Sequence, residues 1–317
     1  MAWVRRTLAV DLNGLILPTP VMVASGCAGT GRELAALADL HKVGGLVSRS
    51  ITLRPRKGTS TPRIAETPSG IVWSTGLQNP GIEAFLAEEL PRLVKGGAPV
   101  FVSIAGGTME EFVRMTSLLQ GAPGLTAIET HISGPDEELG TAVLASRPDR
   151  AAEIVGAVAR MATVPVFAKL PPLLPELVET ARGCVRAGAH GLTLTDAAPA
   201  LGVDPAGLRP QLGAVTGWLS GPAIRPLALR AVHEVARALP EVPILGVGGV
   251  RTGEDAVEML LAGAWAVQMG TATLIDPAAA VTTAQGVLAY LKVKGLASPG
   301  DVRGRLRLPQ WSEDGPP

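Results

Sequence analysis

Short apolar runs closed by glycines recur along the chain. Each is followed by a segment whose apolar positions return every three or four residues. The clearest pair lies late in the sequence, at residues 242–249 (Val-Pro-Ile-Leu-Gly-Val-Gly-Gly) and 264–271 (Ala-Trp-Ala-Val-Gln-Met-Gly-Thr), with an amphipathic helix predicted over 252–263 between them. Near-continuous apolar runs of this length suit strands buried on both faces of a parallel sheet. Earlier runs of the same kind fall at 21–26, 45–50, 99–106, 125–133, 164–170 and 191–197. Further helices are predicted over 31–40, 82–94, 109–119, 149–161, 175–187, 222–239 and 278–294. Strand–helix units in this regular order, with no break long enough for a second domain, predict an α/β fold: one (β/α)8 TIM barrel spanning residues 1–317.

Five stretches depart from the rhythm. Residues 7–18 alternate apolar and polar positions around Asn13-Gly14, a hairpin signal, so residues 1–20 are expected to close the amino-terminal end of the barrel. After the second strand, residues 52–75 carry Arg54, Arg56, Lys57 and Arg63 without a helical pattern, and a Pro- and Gly-rich loop follows the sixth strand at 198–218. Long excursions at the carboxyl ends of strands usually form a lid or a wall of a site, though a basic run can equally be a solvated face. An acidic loop is expected at 134–140, and the Pro-rich tail 307–317 is expected to be loose.

Composition narrows the function. Hydrophobic residues make up 47% of the chain, ample for a core, and 28 basic residues balance 28 acidic ones, so no global field recruits nucleic acid or membrane. Cys27 and Cys184 are too few for a disulfide framework or a zinc cage, and reduced thiols are the default. No apolar stretch reaches the roughly 18 residues of a membrane span, and the first eight residues lack a signal-peptide core. A cytoplasmic protein with a small-molecule substrate is expected. Asparagine occurs only at Asn13 and Asn79, a bias that GC-rich coding or heat adaptation would each produce.

Candidate chemistry gathers at strand ends. Glycines closing the seventh and eighth strands leave backbone N–H groups bare where helices begin, which is the usual phosphate site of such barrels. Ser220-Gly221-Pro222, opening the helix before the seventh strand, can add amides to that site. Lys169 ends the fifth strand; it reads either as a lysine snorkelling to the barrel mouth or as a cation aimed at a bound anion or an electron-rich ring. His131 leaves the fourth strand and Asp196 ends the sixth, while His41, His190 and His233 fall in or beside helices and read as structural. No Gly-x-Ser-x-Gly elbow occurs, and nothing in the sequence fixes a nucleophile beside a base. Metal-ligand spacings are absent, so no metal site is expected.

The ordered series Val23-Ala24-Ser25-Gly26, Thr61-Pro62-Arg63-Ile64-Ala65-Glu66-Thr67-Pro68-Ser69-Gly70, Gly76-Leu77-Gln78-Asn79-Pro80-Gly81, Phe167-Ala168-Lys169-Leu170, Ser220-Gly221-Pro222-Ala223-Ile224-Arg225-Pro226, Gly246-Val247-Gly248-Gly249 and Gly270-Thr271 resembles the dihydroorotate dehydrogenase family, most closely its class 1B catalytic subunit. The resemblance implies an FMN flavoprotein on a barrel, an oxidoreductase of CH–CH groups in pyrimidine biosynthesis, converting dihydroorotate to orotate. It also implies a homodimer and a partner subunit carrying FAD and an iron–sulfur cluster. By the same resemblance Ser220, Gly221, Gly248, Gly249, Gly270 and Thr271 would hold the FMN phosphate end, and Ala24, Ser25, Gly26, Arg49, Ser50 and Ser103 would line the flavin. Lys169 would approach the N1–C2=O edge, a cation stabilising the reduced ring. Arg49 stands where the family has lysine.

On the substrate side the chain departs from that family. The loop after the fourth strand reads Asn-x-Ser-Cys-Pro-Asn in the family, its Cys or Ser serving as base; here it reads His131-Ile132-Ser133-Gly134-Pro135-Asp136. Gly134 has no side chain to act as base. Trp73, His131, Asp136 and Asp196 stand where the family has orotate-binding asparagines, and Ser133 keeps its identity. His131 is the best remaining acid or base, and Asp136 or Asp196 would select a neutral or cationic ligand. Orotate chemistry is the family default, a different substrate is the reading these residues favour, and a flavin- or phosphate-binding barrel without turnover is the rival.

Overall fold

A computed structural model describes residues 7–134 and 143–309; Asp136, most of the acidic loop and the last part of the tail lie outside the described residues. In chain order the strands are β1 (Val10–Leu12), β2 (Leu15–Leu17), β3 (Val21–Val23), β4 (Leu46–Val47), β5 (Ile64–Thr67), β6 (Gly70–Trp73), β7 (Val100–Ile104) and β8 (Leu125–His131). They continue with β9 (Val166–Leu170), β10 (Gly191–Leu194), β11 (Ala198–Ala200), β12 (Val203–Asp204), β13 (Arg209–Pro210), β14 (Gly217–Ser220), β15 (Ile244–Val247) and β16 (Ala266–Met269). Strands β3, β4, β7, β8, β9, β10, β15 and β16 pair in parallel and close into an eight-stranded barrel, with helices packed outside. This is the predicted (β/α)8 barrel.

The helices form where the 3.6-residue period placed them, with instructive differences. Met109–Leu119 begins on Thr108, whose side chain accepts from the Glu111 amide, and Gly253–Ala262 begins on a capping box of Thr252 and Asp255. The first outer helix is only Arg32–Ala35, followed by a 3-10 turn at Leu40–Lys42. Gly31 precedes it with φ 85° and no side-chain cap, so this end lacks the donor satisfaction that extends its neighbours. Among the described residues no helix is long and apolar enough to cross a membrane.

Inward-facing positions recur every second residue along a barrel strand. The lower inward layer is apolar: Met22, Val47, Phe101, Ala127, Phe167, Leu245 and Ala266 form one buried cluster. The hairpin β1–β2 plugs this end, adding Val10, Leu12 and Leu17 to the same cluster. His190 Nε2 donates to the Leu12 carbonyl at 2.6 Å and lays its ring edge-on to Phe167, tying plug to barrel. Two residues further along those strands, Arg49, Ser103, Glu129, Lys169 and Gln268 stand with the apolar Ala24 and Val247, so the barrel interior turns mostly polar one layer below its mouth.

The two long excursions form an ordered second sheet. The first supplies β5 and β6, the second β11 and β14, and they pair antiparallel in the order β11-β14-β6-β5 above the carboxyl end of the barrel. Arg63 is the tether of the first excursion, donating to the Thr59 and Lys57 carbonyls and to Gln78 Oε1, whereas Arg54, Arg56 and Lys57 are solvent-exposed. The basic run is therefore mostly a solvated face, with one arginine in the wall.

Phe167→Ala would empty the centre of the apolar plug, beneath the polar layer. Loss of a fully buried phenylalanine is expected to cost about 3–5 kcal/mol, read as a lower urea midpoint with an unchanged slope.

Candidate active site

The polar layer is assembled by register. His131 on β8 lies opposite Lys169 on β9, which in turn lies opposite Thr193 on β10, and Ser103 on β7 lies opposite Glu129 on β8. Parallel neighbours in register share a face, so these side chains meet inside the barrel. Lys169 Nζ stands 3.6 Å from Asp196 Oδ1 and 3.8 Å from Glu129 Oε1. Glu129 Oε2 accepts from Thr193 Oγ1 at 2.9 Å and from Gln268 Nε2 at 3.1 Å. His131 Nε2 bonds Asp196 Oδ2 at 2.9 Å and His131 Nδ1 lies 2.8 Å from Ser50 Oγ. One continuous polar chain thus runs from Ser50 through His131, Asp196 and Lys169 to Glu129.

Its electrostatics follow from burial and pairing. Burial alone would push the Asp196 carboxyl up, but the Lys169 ammonium and His131 outweigh it and hold the group well below the usual carboxylate range. Burial would likewise lower Lys169, yet Asp196 and Glu129 raise it above its ordinary value. Cys27, whose thiol faces the same space, is pushed up to about 11 by burial, with Thr273 and Lys169 pulling the other way, so it is no thiolate near neutrality. Arg49 is held from behind by Glu89, at 3.6 Å.

Above this layer lies a cavity of about 770 Å³ under the second sheet. It brings together Ala24, Ser25, Gly26, Arg49, Ser50, Trp73, His131, Lys169, Asp196, Ser220, Gly221, Gly248, Gly249, Gly270 and Thr271. Two expected site residues are absent from its wall: Ser103 is fully buried behind Ser50, 3.0 Å away, and Ser133 is buried with no hydrogen-bond partner for its Oγ among the described residues. Asp136 lies outside the described residues. Trp73 is in the wall, but its indole N–H is spent on Ser220 Oγ at 3.0 Å.

The phosphate end fits the group the sequence resemblance implies. Gly248 and Gly249 have φ of 129° and 73°, and a Cβ there would stand 2.8 Å from Ala228 Cβ and 2.6 Å from Arg225 Cβ, so only glycine is accommodated. Among the described residues the amides of Gly248, Gly249 and Thr271 have no acceptor. Ser220 Oγ accepts from both Trp73 and Thr271, which leaves its own hydrogen free to donate. Unspent amides beside helix starts and a free hydroxyl are the donor set an anion needs. The cavity is at the large end of the range for cofactor sites, roughly 300–1,000 Å³.

Sequence reasoning missed Glu129, Thr193 and Gln268, the groups that hold Lys169 from below. A signal was present: Glu129 is a carboxyl in an otherwise apolar run, two residues before His131 and therefore on its face. The proximity of Ser50, His131 and Asp196 was also missed, and it corrects the reading that nothing fixes a hydroxyl beside a base. Ser50 and His131 lie 81 positions apart in the chain, so only barrel closure joins them.

Comparison with known proteins adds the family. A family model described as dihydroorotate dehydrogenase matches residues 7–291. A relative from Geotalea daltonii is 42% identical over 301 residues, covering 95% of this chain and 98% of its own. One from Geobacillus sp. (strain WCH70) is 44% identical over 270 residues, with 85% and 86% covered. Both are named dihydroorotate dehydrogenase B (NAD(+)), catalytic subunit.

Lys169→Met would leave Asp196 buried without its cation and is expected to cost about 3–5 kcal/mol in urea unfolding. Because Asp196 is depressed in the fold, its stabilisation is present above the ordinary aspartate pKa of about 3.9 and is lost as pH falls toward and through its lowered value. The urea midpoint is expected to drop below about pH 4, and less steeply in Asp196→Asn.

Proposed function

The chain belongs to the dihydroorotate dehydrogenase family, and from that membership we propose that it is an FMN-dependent oxidoreductase of CH–CH groups whose substrate carries no carboxylate where dihydroorotate has one. The observation that carries the substrate reading is Asp196. It stands at a position where the family binds orotate through asparagine, and its partners keep it ionised. An incoming carboxylate would meet a fixed negative charge in a buried pocket.

Other positions agree. The Trp73 N–H is already engaged with Ser220, and Gly134 has no side chain to serve as base or hydrogen-bond partner. Each hydrogen bond to a charged group is worth roughly 1.5–3 kcal/mol, while micromolar affinity is about 8 kcal/mol in all. Losing three or four such bonds removes the basis for tight orotate binding. A neutral dihydropyrimidine ring escapes that cost.

Bound FMN supplies a two-electron acceptor. The chain's own part is to hold and shield. Gly248, Gly249, Thr271 and the free Ser220 hydrogen would hold the phosphate, Lys169 and Arg49 would supply positive charge to the flavin, and the second sheet would limit water in the cavity. His131, braced by Asp196, is the acid–base centre in place of the absent cysteine. The relatives are catalytic subunits by name; we extend this to a small-molecule substrate, a homodimer in the cytoplasm, and reoxidation through a separate electron-transfer subunit.

Anaerobic mixing of the FMN-loaded protein with dihydrouracil, the same ring without the carboxylate, is expected to bleach the oxidised flavin band roughly tenfold or more faster than dihydroorotate, a barrier difference of about 1.4 kcal/mol. Faster bleaching by dihydroorotate, or micromolar binding of orotate, would refute the reading. In a fluorescence titration, Ser220→Ala is expected to weaken FMN binding roughly ten- to hundredfold, the value of one hydrogen bond to a charged group.

A further inference from the structure

His131 has both ring nitrogens engaged. Nε2 faces Asp196 Oδ2 at 2.9 Å, and an ionised carboxylate only accepts, so Nε2 carries the ring hydrogen. Nδ1 is then a lone pair, and its partner Ser50 Oγ, at 2.8 Å, must be the donor. The imidazole therefore presents no free nitrogen to a substrate. Ser50 is itself part of the cavity wall.

The surroundings fix the direction of this hydroxyl. Since Ser50 gives its hydrogen to His131, Ser103 Oγ at 3.0 Å must donate to Ser50. Ser25 Oγ, at 3.5 Å, already donates to the Ser48 carbonyl at 2.8 Å and does not compete. Ser50 thus keeps one oxygen lone pair unspent, with a base behind it and an orienting carboxylate behind the base. That is the arrangement that activates a hydroxyl.

We propose, resting on the flavin-oxidoreductase reading, that Ser50 is the catalytic residue that exchanges the substrate proton, with His131 as the proton store and Asp196 as its positioning residue. The C–H bond beside the ring carbonyl breaks, and its proton goes to Ser50 Oγ while the Ser50 hydrogen moves to His131 Nδ1. The hydrogen on the neighbouring carbon leaves with its electron pair to FMN. A C=C bond forms, the substrate is oxidised by two electrons and FMN is reduced by two. The imidazolium is stabilised by Asp196. Lys169, on the far side of Asp196 and backed by Glu129, and Arg49 in the cavity wall are the cations that face this network.

The test uses the full FMN-loaded chain and Ser50→Ala. Flavin reduction by dihydrouracil is expected to slow about 10²–10⁴-fold, the usual share of a general base, and its pH profile to change. Rates are compared at saturating FMN, and a circular dichroism spectrum as in wild type shows that the variant folds. In ¹⁵N spectra of labelled histidine, wild-type His131 is expected to carry its hydrogen on Nε2, with the Nδ1 resonance moving in Ser50→Ala. A Ser50→Ala rate within about threefold of wild type, with the same pH profile, would overturn the relay, since a base is worth far more; so would a hydrogen on Nδ1. If no dihydropyrimidine reduces the wild-type flavin, the substrate reading fails, and the histidine tautomer alone then decides the relay.

Discussion

A single ammonium group organises the mouth of this barrel. Lys169 sits in the polar layer with a carboxyl on either side, Asp196 toward the cavity and Glu129 toward the core. Burying such a cation is affordable only because both partners arrive from neighbouring strands in fixed register. The pairing sets the charge of Asp196, Asp196 sets the tautomer of His131, and His131 sets the direction of the Ser50 hydroxyl. Each step is a hydrogen-bond or charge constraint passed along one network.

The second sheet joins the two ends of the site. Trp73 on β6 and Ser220 at the end of β14 come from different excursions, 147 positions apart, yet the indole bonds the serine that also receives Thr271. The wall formed by the second sheet is thereby tied to Thr271 beyond the last barrel strand. A tryptophan here closes space that a small amide would leave open and spends its only donor inward.

Family membership and pocket chemistry point in different directions, and both have a physical basis. The glycines, the barrel and the Arg63-braced excursion answer to backbone geometry and an anion's need for bare amides, which any FMN-binding member must meet. The groups facing the reacting ring answer to the substrate alone. Sites are grafted onto folds, and here Gly134 has no side chain while His131 ends β8 and Ser50 and Asp196 follow β4 and β10.

The sequence by itself determined the barrel, its order of strands and helices, and the glycine turns that close the last two barrel strands, because these rest on local periodicity and on φ values only glycine tolerates. It placed Lys169, His131 and Asp196 at strand ends for the same reason. Tertiary structure alone decided what those side chains meet. Ser50 beside His131, Glu129 beneath Lys169, and Trp73 bonded to Ser220 all depend on register and closure between segments far apart in the chain. Periodicity reveals which face a residue occupies; only the closed sheet reveals who stands opposite.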